Sequence, residues 1–469
     1  MNRKTAILLA VIVFCAILAR IYFLARAELS TYEYNVILLA ARTITEIVPN
    51  TMAIAHHPFY YYVLHWWLFL VRPMDISGKL FSMLCNTALL VAIPLFSLHK
   101  KAVFNKEVAL LTALIIAVSP SHIFYSHYVS LYGFFTLIAF LFNLSFLLFA
   151  EKEKLRYAVW YAVFTTIMLY TQICGYIMFF IQAVSFAFIG KKVKKWAVVT
   201  SIIFALYLPW HILVFPAQMA SWQGGSAGMR AAVKHDPPVP TLQTLGQTFI
   251  DFSAGSPQLL FLLIWIMLYG MIKNRNEVRV NLFLTAWLLL PPFILYLVSR
   301  NIDPVYKSKE LFFVSVPFFI LIAKGITCFS RAIKISIVAV TVLVSSLALL
   351  DKFYLEPPER WSELVSKIKS IRLSSDIVIS FNSQEPFNYY YKDTHYVSYS
   401  IRDIEDIVSK IKNEDRFFVV VRADDPVLNT QTIEYLKEKH PFLSEKQYGY
   451  ARSRYGESCG VGYYLFRRN

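Results

Sequence analysis

Residues 55–67 read AHHPFYYYVLHWW, three histidines and six aromatic rings within thirteen positions. Whether this stretch crosses a membrane or lies between two crossings decides how the chain is folded. Pro58 permits a turn, and Phe59 to Leu70 then has the pattern of a short amphipathic helix whose Tyr and Trp side chains suit the headgroup level, with apolar rings and polar tips. An aromatic belt of this kind accounts for Tyr60, Tyr62, Trp66 and Trp67. It does not account for the adjacent pair His56 and His57.

Just upstream, residues 28–48 read ELSTYEYNVILLAARTITEIV. Ser30 or Thr31 can cap a helix in which Asn35, Arg42 and Glu46 share one face and Ile37, Leu38, Ala41 and Ile44 the other. Too short and too polar to span, this helix is expected to lie in the membrane interface. Glu33 then sits at its start. Partial burial there would raise its proton affinity, as a general base for a hydroxyl requires; a solvated acid assisting the helix N-terminus is the alternative, and position alone does not separate the two.

The rest of the chain sets this loop in a membrane. Of 469 residues 57% are hydrophobic and only 16% charged, far more apolar surface than one water-soluble core would bury. A hydrocarbon core of about 30 Å needs about 20 apolar residues per helix. Runs of that kind begin near Thr5, Ile76, Val108, Ser130, Tyr157, Gly175, Trp196, Gln258, Val280, Leu311 and Ile335. The first lacks a small-residue cleavage site and reads as a retained anchor.

The formal net charge of +16 is concentrated in short clusters between these runs, at Arg3 and Lys4, Lys100 to Lys106, Lys152 to Arg156, Lys191 to Lys195, Lys273 to Arg279 and Lys324 to Lys334. They fall on alternate loops, as the positive-inside rule requires, so nucleic acid is not needed to explain them. The N-terminus is placed in the cytoplasm and, with about eleven spans, the tail outside the cell membrane. Long loops at Ala27–Asp75, Ala217–Pro257 and Ser299–Glu310 then face outward.

After the last run the composition changes. PERWSELVSKIKSIR and RDIEDIVSKIKNE have helical spacing, while DIVISF, RFFVVV and GYYLFRR read as strands. The expected organisation is an all-α polytopic membrane domain over residues 1–353, with interfacial helices in its first outer loop, and a small extracytoplasmic α/β domain over 354–469. That small domain reads first as a stabilising or docking appendage.

No cofactor is required by these motifs. His56, His57 and a nearby glutamate offer a divalent metal as a lesser alternative to polar contact with a substrate, since HH without HxxxH is a weak zinc signal. The five cysteines form no CxxC; a Cys174–Cys459 disulfide is the one pairing the layout permits, and it is not favoured.

The order of several segments is similar to the polyprenyl-phosphate-sugar-dependent glycosyltransferases of the GT-C class, among them the dolichyl-phosphate-mannose protein mannosyltransferases and aminoarabinose transferases. TYEYN stands for the acidic motif of the first outer loop and HHPFYYYVLHWW for its His-Pro-Pro-Leu-Tyr-Tyr-like segment. SPSHIFYSHYVSLYGFF, LYTQICGYIMFF and LYLPW resemble later motifs in the right order, over roughly residues 5–330. The usual acidic pair is reduced to Glu33, the second proline is Phe59, and Ser130 stands where an arginine is common.

The resemblance implies an integral-membrane glycosyltransferase that moves a sugar from a polyprenyl-phosphate donor to a protein, lipid or glycan hydroxyl, with inversion. Glu33 matches the catalytic position. His56, His57, Tyr61, Tyr128 and Tyr132 are substrate-contact candidates, and Arg300, Lys307 and Lys309 are candidates to receive the leaving phosphate, against the alternative of basic side chains snorkelling at a helix end. Two other functions stay open. One is a transporter or flippase of lipid-linked glycans, which would place broken or charged helices at the midplane; the other is an inactive homologue that keeps the scaffold.

Overall fold

The chain divides into two compact units, Met1–Leu24 with Ile37–Leu350 and Ala25–Val36 with Asp351–Asn469. The structure, a computed structural model, describes residues 3–25, 28–53, 56–99, 105–152, 154–189, 193–214, 216, 239–301, 306–350, 359–373, 375–381, 384–391, 397–399, 416–422, 433–434, 436–438, 440–448 and 461–467. The glycine- and proline-rich loop around Arg230, RDIEDIVSKIKNE and Cys459 lie outside the described residues. Residues 25–36, which the sequence reading assigns to the membrane domain, cluster with the C-terminal unit instead.

In the first unit every apolar run coincides with a helix: α1 (Arg3–Leu24), α5 (Met74–His99), α6 (Lys106–Val118) with α7 (Pro120–His127), α8 (Leu131–Lys152), α9 (Leu155–Leu169), α10 (Cys174–Ile189), α11 (Val193–Leu213), then Pro257–Lys273, Val278–Asn301, Ser315–Ile326 and Arg331–Ala348. Among the described residues six are long and apolar enough to cross a membrane, or up to eight when two bent pairs are taken as single spans. The others are short for a reason of geometry: the 15 residues of α9 extend only about 22 Å at 1.5 Å each.

Burial sorts these helices into rim and centre. The windows of α1, α11 and Arg331–Ala348 are 28%, 22% and 17% buried, against 89% for α8, so the rim helices present apolar side chains outward, as lipid contact demands. Ser315–Ile326 is buried along its whole length. It meets Pro257–Lys273 where Gly325 faces Gly270, and a Cβ on Gly325 would collide with the Ile266 carbonyl. Small residues at such a crossing let two backbones touch, the usual means of helix association where lipid removes the hydrophobic drive. Lys324, buried beside Gly325, donates to Glu277 and Asn281.

Among the described residues two apolar helix pairs are sharply bent. α6 and α7 meet at 64°, because Pro120 has no N–H to continue the ladder and so leaves the Ile116 carbonyl without its partner. Buried Arg20 fills that need, donating to Ile116 O and Ala117 O at 3.4 Å and to Ala16 O at 3.1 Å. This gives the intramembrane arginine a structural task. Leu242–Phe252 and Pro257–Lys273 meet at 82°; the turn passes through Ala254 and Gly255 at φ 57° and 72°, and Ser256 caps the second helix through the Leu259 N–H at 3.2 Å.

Between the first two apolar runs the described residues form three short helices, α2 (Thr31–Ala41), α3 (Ile44–Ala53) and α4 (Phe59–Leu70). The single amphipathic helix expected over residues 31–48 is therefore two. The break comes from Thr43, whose N–H and hydroxyl both bond Glu46 Oε2, at 3.1 and 2.7 Å, starting a new capped helix.

The second unit contains a five-stranded mixed sheet in the order β2-β1-β3-β5-β4, with β1 Ile377–Phe381, β2 Val397–Tyr399, β3 Arg416–Arg422, β4 Phe442–Tyr448 and β5 Val461–Arg467. β1 pairs with β2 and β3 in parallel, and β5 with β3 and β4 antiparallel. Alternation along β3 sends Phe418 and Val420 toward Trp361, Leu364 and Ile368 of one helix. Phe417, Val419 and Val421 go to the opposite face with Leu436. The strands expected from DIVISF, RFFVVV and GYYLFRR are β1, β3 and β5; β2 and β4 are additions.

Replacing Gly325 with Val is expected to lower the unfolding temperature of detergent-purified protein by several degrees, an overpacking cost of about 1–3 kcal/mol. Gly246→Ala, at a helical site with nothing within 4 Å, should leave it unchanged or slightly higher. Equal behaviour of the two variants in a thermal melt would contradict the tight crossing.

Candidate active site

Around α4 the membrane unit gathers its polar and aromatic groups. The Phe59 N–H donates to Tyr170 O at 3.1 Å, tying the start of α4 to the turn between α9 and α10. One face of α4 then buries Tyr60, Tyr61, Leu64 and Leu68 while Trp66, Phe69 and Leu70 stay exposed. Half-buried His56 shares a 2.7 Å hydrogen bond between its Nδ1 and the Tyr61 hydroxyl. Burial, reinforced by the positive charges of Lys307 and Lys309, pushes His56 down to about 4, so it is neutral at physiological pH.

His57 turns elsewhere. Its ring stacks on Trp210 with centroids 5.4 Å apart and meets Tyr176 edge-on at 6.3 Å, and burial pushes it too down to about 4. Tyr176 and Tyr207 bond through their hydroxyls, and Tyr170 reaches Leu206 O. These rings come from the LYTQICGY and LYLPW segments, which the sequence shows only as motifs in order.

Lys309 lies in a 3-10 turn, Ser308–Val314, and is buried. Its ammonium stands 5.9 Å from the centre of the Tyr132 ring, within cation–π range. The turn is wedged against the broken span: Phe312 packs 4.4 Å from Tyr125 and 4.5 Å from His122, and His122 Nε2 bonds Ser315 Oγ at 3.0 Å. The α6–α7 break thus fixes where Lys309 can sit. Tyr125 and Phe312 were not among the residues singled out from sequence, which carries no signal for an aromatic wedge between distant segments.

His56, Tyr61, Lys307 and Lys309 therefore share one neighbourhood, with Tyr132 beside Lys309. Tyr128 instead stacks on Phe124 at 5.2 Å. Arg300 is exposed at the end of its helix, and its guanidinium bonds Tyr296 one turn back at 2.9 Å. Of the three basic candidates, only the two lysines act on His56. Among the described residues no three His, Cys, Asp or Glu side chains gather as a metal site would need, and Cys85, Cys174 and Cys328 are free thiols.

Glu33 belongs to the second unit. It is 2% exposed, and its Oε2 accepts from the Ser30 N–H at 2.9 Å and from the Ser30 hydroxyl at 2.8 Å, while its own N–H faces Ser30 Oγ at 3.4 Å. Ser30 and Glu33 thus form a reciprocal capping box at the first turn of α2. The carboxylate is held in one geometry by its own helix.

No family profile and no curated protein matches the sequence. Solved structures do match. ArnT from Cupriavidus metallidurans in the apo state superposes at TM-score 0.62 with 11% identity over 97% of this chain and 97% of that one. Bound to undecaprenyl phosphate, the same protein superposes at 0.59, with 11% identity over 98% and 97%. The archaeal oligosaccharyltransferase AglB from Archaeoglobus fulgidus, solved with an inhibitory peptide and a dolichol-phosphate, superposes at 0.54 with 10% identity over 94% of this chain and 73% of that one. At such identity the likeness is one of fold, and the fold is GT-C.

Both His56 and His57 lie below the ordinary histidine value near 6.5. Between about pH 6.5 and 4 the unfolded chain binds protons that the folded one refuses, so stability falls as pH drops through that window. His57→Phe keeps the ring on Trp210 and removes one such group. Melts at pH 7.5, 6 and 5 should show a shallower loss for the variant than for the wild type; identical slopes would refute neutral, buried His57.

Proposed function

We propose that the protein is an integral-membrane glycosyltransferase that takes a sugar from a polyprenyl phosphate and passes it, with inversion, to an acceptor hydroxyl at the outer membrane face. The observation that carries this reading is the GT-C fold along nearly the whole chain, shared with a protein solved with undecaprenyl phosphate and one solved with dolichol-phosphate. The lysine-bearing neighbourhood of half-buried His56, with Lys309 buried and Lys307 exposed, supplies the positive charge such a donor needs.

In this reading Glu33 takes the proton from the acceptor hydroxyl. The acceptor oxygen forms its bond to the anomeric carbon from the face opposite the lipid phosphate, and the bond from that carbon to the phosphate oxygen breaks. The leaving phosphate carries away the electron pair, and buried Lys309, with exposed Lys307 beside it in the chain, balances its charge; the buried cation is the more effective because it is fixed away from water. Neutral His56, held by Tyr61, offers a hydrogen bond without competing for the anion.

The orientation rests on charge. Lys334 bonds Glu107 at 2.7 Å and Lys324 pairs with Glu277, so the basic loops of these four helices share one end of the membrane unit. By the positive-inside rule that end faces the cytoplasm and the end with α4 faces out.

A second reading has its own observation: the capping box gives Glu33 a purely structural role, as an inactive homologue would keep it. Glu33→Gln separates the two, since glutamine also serves at the third position of a capping box but cannot take a proton. The variant is expected to melt within a few degrees of wild type and to lose about 10²-fold or more in turnover with polyprenyl-phosphate sugars. Wild-type turnover by Glu33→Gln would sink the assignment, and absence of any transfer by pure wild-type protein across donors would favour a flippase. Lys309→Met is expected to retain its fold and lose about tenfold or more in turnover, whereas Arg300→Met should change little; the reverse ranking would relocate the phosphate.

A further inference from the structure

Glu359, in the PERWSELVSKIKSIR stretch that the sequence marks only by its helical spacing, is a buried carboxylate, 4% exposed. Its Oε2 receives three hydrogen bonds: from the Thr31 N–H at 2.8 Å, the Thr31 hydroxyl at 2.6 Å and the Trp361 indole N–H at 2.7 Å. Trp361 is itself fully buried in the hydrophobic cluster against the sheet. The exchange runs the other way too. Glu28 accepts from the Ser362 N–H at 3.0 Å and from its hydroxyl, in the first turn of helix Trp361–Ile371. Each helix start is thus capped by a carboxylate belonging to the segment that leads into the other, where an anion is best placed against the helix dipole.

Two further contacts continue the line. The Leu29 N–H donates to the Tyr390 hydroxyl at 3.0 Å, and the Tyr34 ring lies 5.5 Å from that of Tyr389. Residues 28, 29, 31 and 34 are therefore each held by a residue of the 359–390 stretch, and Glu33 sits among them, locked to Ser30. A helix cap alone needs one acceptor. Four clasps on seven residues over-determine the backbone that carries the Glu33 carboxylate.

We infer that Glu359 is a positioning residue for transfer: through Thr31 it holds the first turn of α2, and with it Glu33, in the orientation that takes the acceptor proton. The 359–390 segment is then part of the catalytic apparatus rather than an appendage. This rests on Glu33 as the base.

The experiment uses the full-length protein in detergent with a polyprenyl-phosphate sugar and combines Glu359 and Glu33 variants. Glu359→Leu leaves three buried donors without their acceptor and is expected to lower kcat about tenfold or more with KM for the donor nearly unchanged, since small misplacements of a catalytic group are costly. Glu359→Gln, which keeps an oxygen for the same donors, should recover most of that loss. Added to Glu33→Gln, Glu359→Leu should cause no further fall in kcat. Unchanged kcat in Glu359→Leu overturns the inference, and so does a loss that multiplies with that of Glu33→Gln, which would mark a general structural role.

Failure of the underlying assignment is read separately, from Glu33→Gln alone: full activity there removes the base, whatever Glu359 variants do. Should Glu359→Leu not fold, Ser362→Ala weakens the exchange from its exposed side, and the same pattern of lowered kcat, constant KM and no added effect on Glu33→Gln is expected at smaller amplitude. Its absence overturns the inference equally.

Discussion

In hydrocarbon there is no water to receive a carbonyl that a broken helix releases, and this constraint governs the membrane unit. Each interruption has to be closed by protein, and each closure fixes geometry. Pro120 frees the Ile116 carbonyl; Arg20 reaches across from α1 to take it together with that of Ala117. The turn at Ala254 and Gly255 returns its N–H to Ile250 O and restarts under the Ser256 cap. The bend between α6 and α7 in turn makes room for the 3-10 turn that carries Lys309, with Phe312 wedged against Tyr125 and His122. The candidate site is assembled from such interruptions, and the unbroken helices serve as its walls.

A second theme is that single carboxylates carry more than one duty. Glu33 completes a capping box, yet it is also the only acid matching the catalytic position of the resemblance. These roles are compatible, because a reciprocal cap fixes the side chain in one rotamer and spares the reaction the cost of ordering it. Lys324 illustrates the opposite arrangement. Its buried ammonium is matched by Glu277 and Asn281 at the end away from the site, where it steadies the crossing next to Gly325. Lys309, also buried, lies against the Tyr132 ring and close enough to His56 to depress its proton affinity, in the neighbourhood that the proposed donor phosphate would enter.

Much of this was legible in the sequence because its signals are local. Apolar run length marks the helices, Pro58 and the following periodicity mark Phe59–Leu70, and period-two alternation marks β1, β3 and β5. Other features were hidden for physical reasons. β4 reads FLSEKQY, a mostly polar strand that pairs with β5 at the end of the described sheet, and β2 has three residues, too few for a period. The division of α2 from α3 was written in Thr43 and Glu46, but continuous apolar spacing on both sides masks it. Arg300 and Lys309 look alike in sequence, and only the fold turns one toward Tyr296 and the other toward Tyr132. Glu359 meets Thr31 across 328 positions, a pairing no spacing rule reaches.

That long separation bears on how the molecule comes into being. A ribosome adding about 5–20 residues each second takes roughly half a minute to deliver Glu359 after Thr31. Throughout that interval the start of α2 has Ser30 and Glu33 for company but lacks its outside acceptor, while span after span is handed to the bilayer. Residues 28–34, among the earliest parts to be made, receive their partners in the 359–390 stretch only near the end of synthesis. A nascent chain arrested before Glu359 would carry the apolar helices through Arg331–Ala348 but none of the clasps on residues 28–34, so that, if Glu33 acts as proposed, competence would arrive only with the tail.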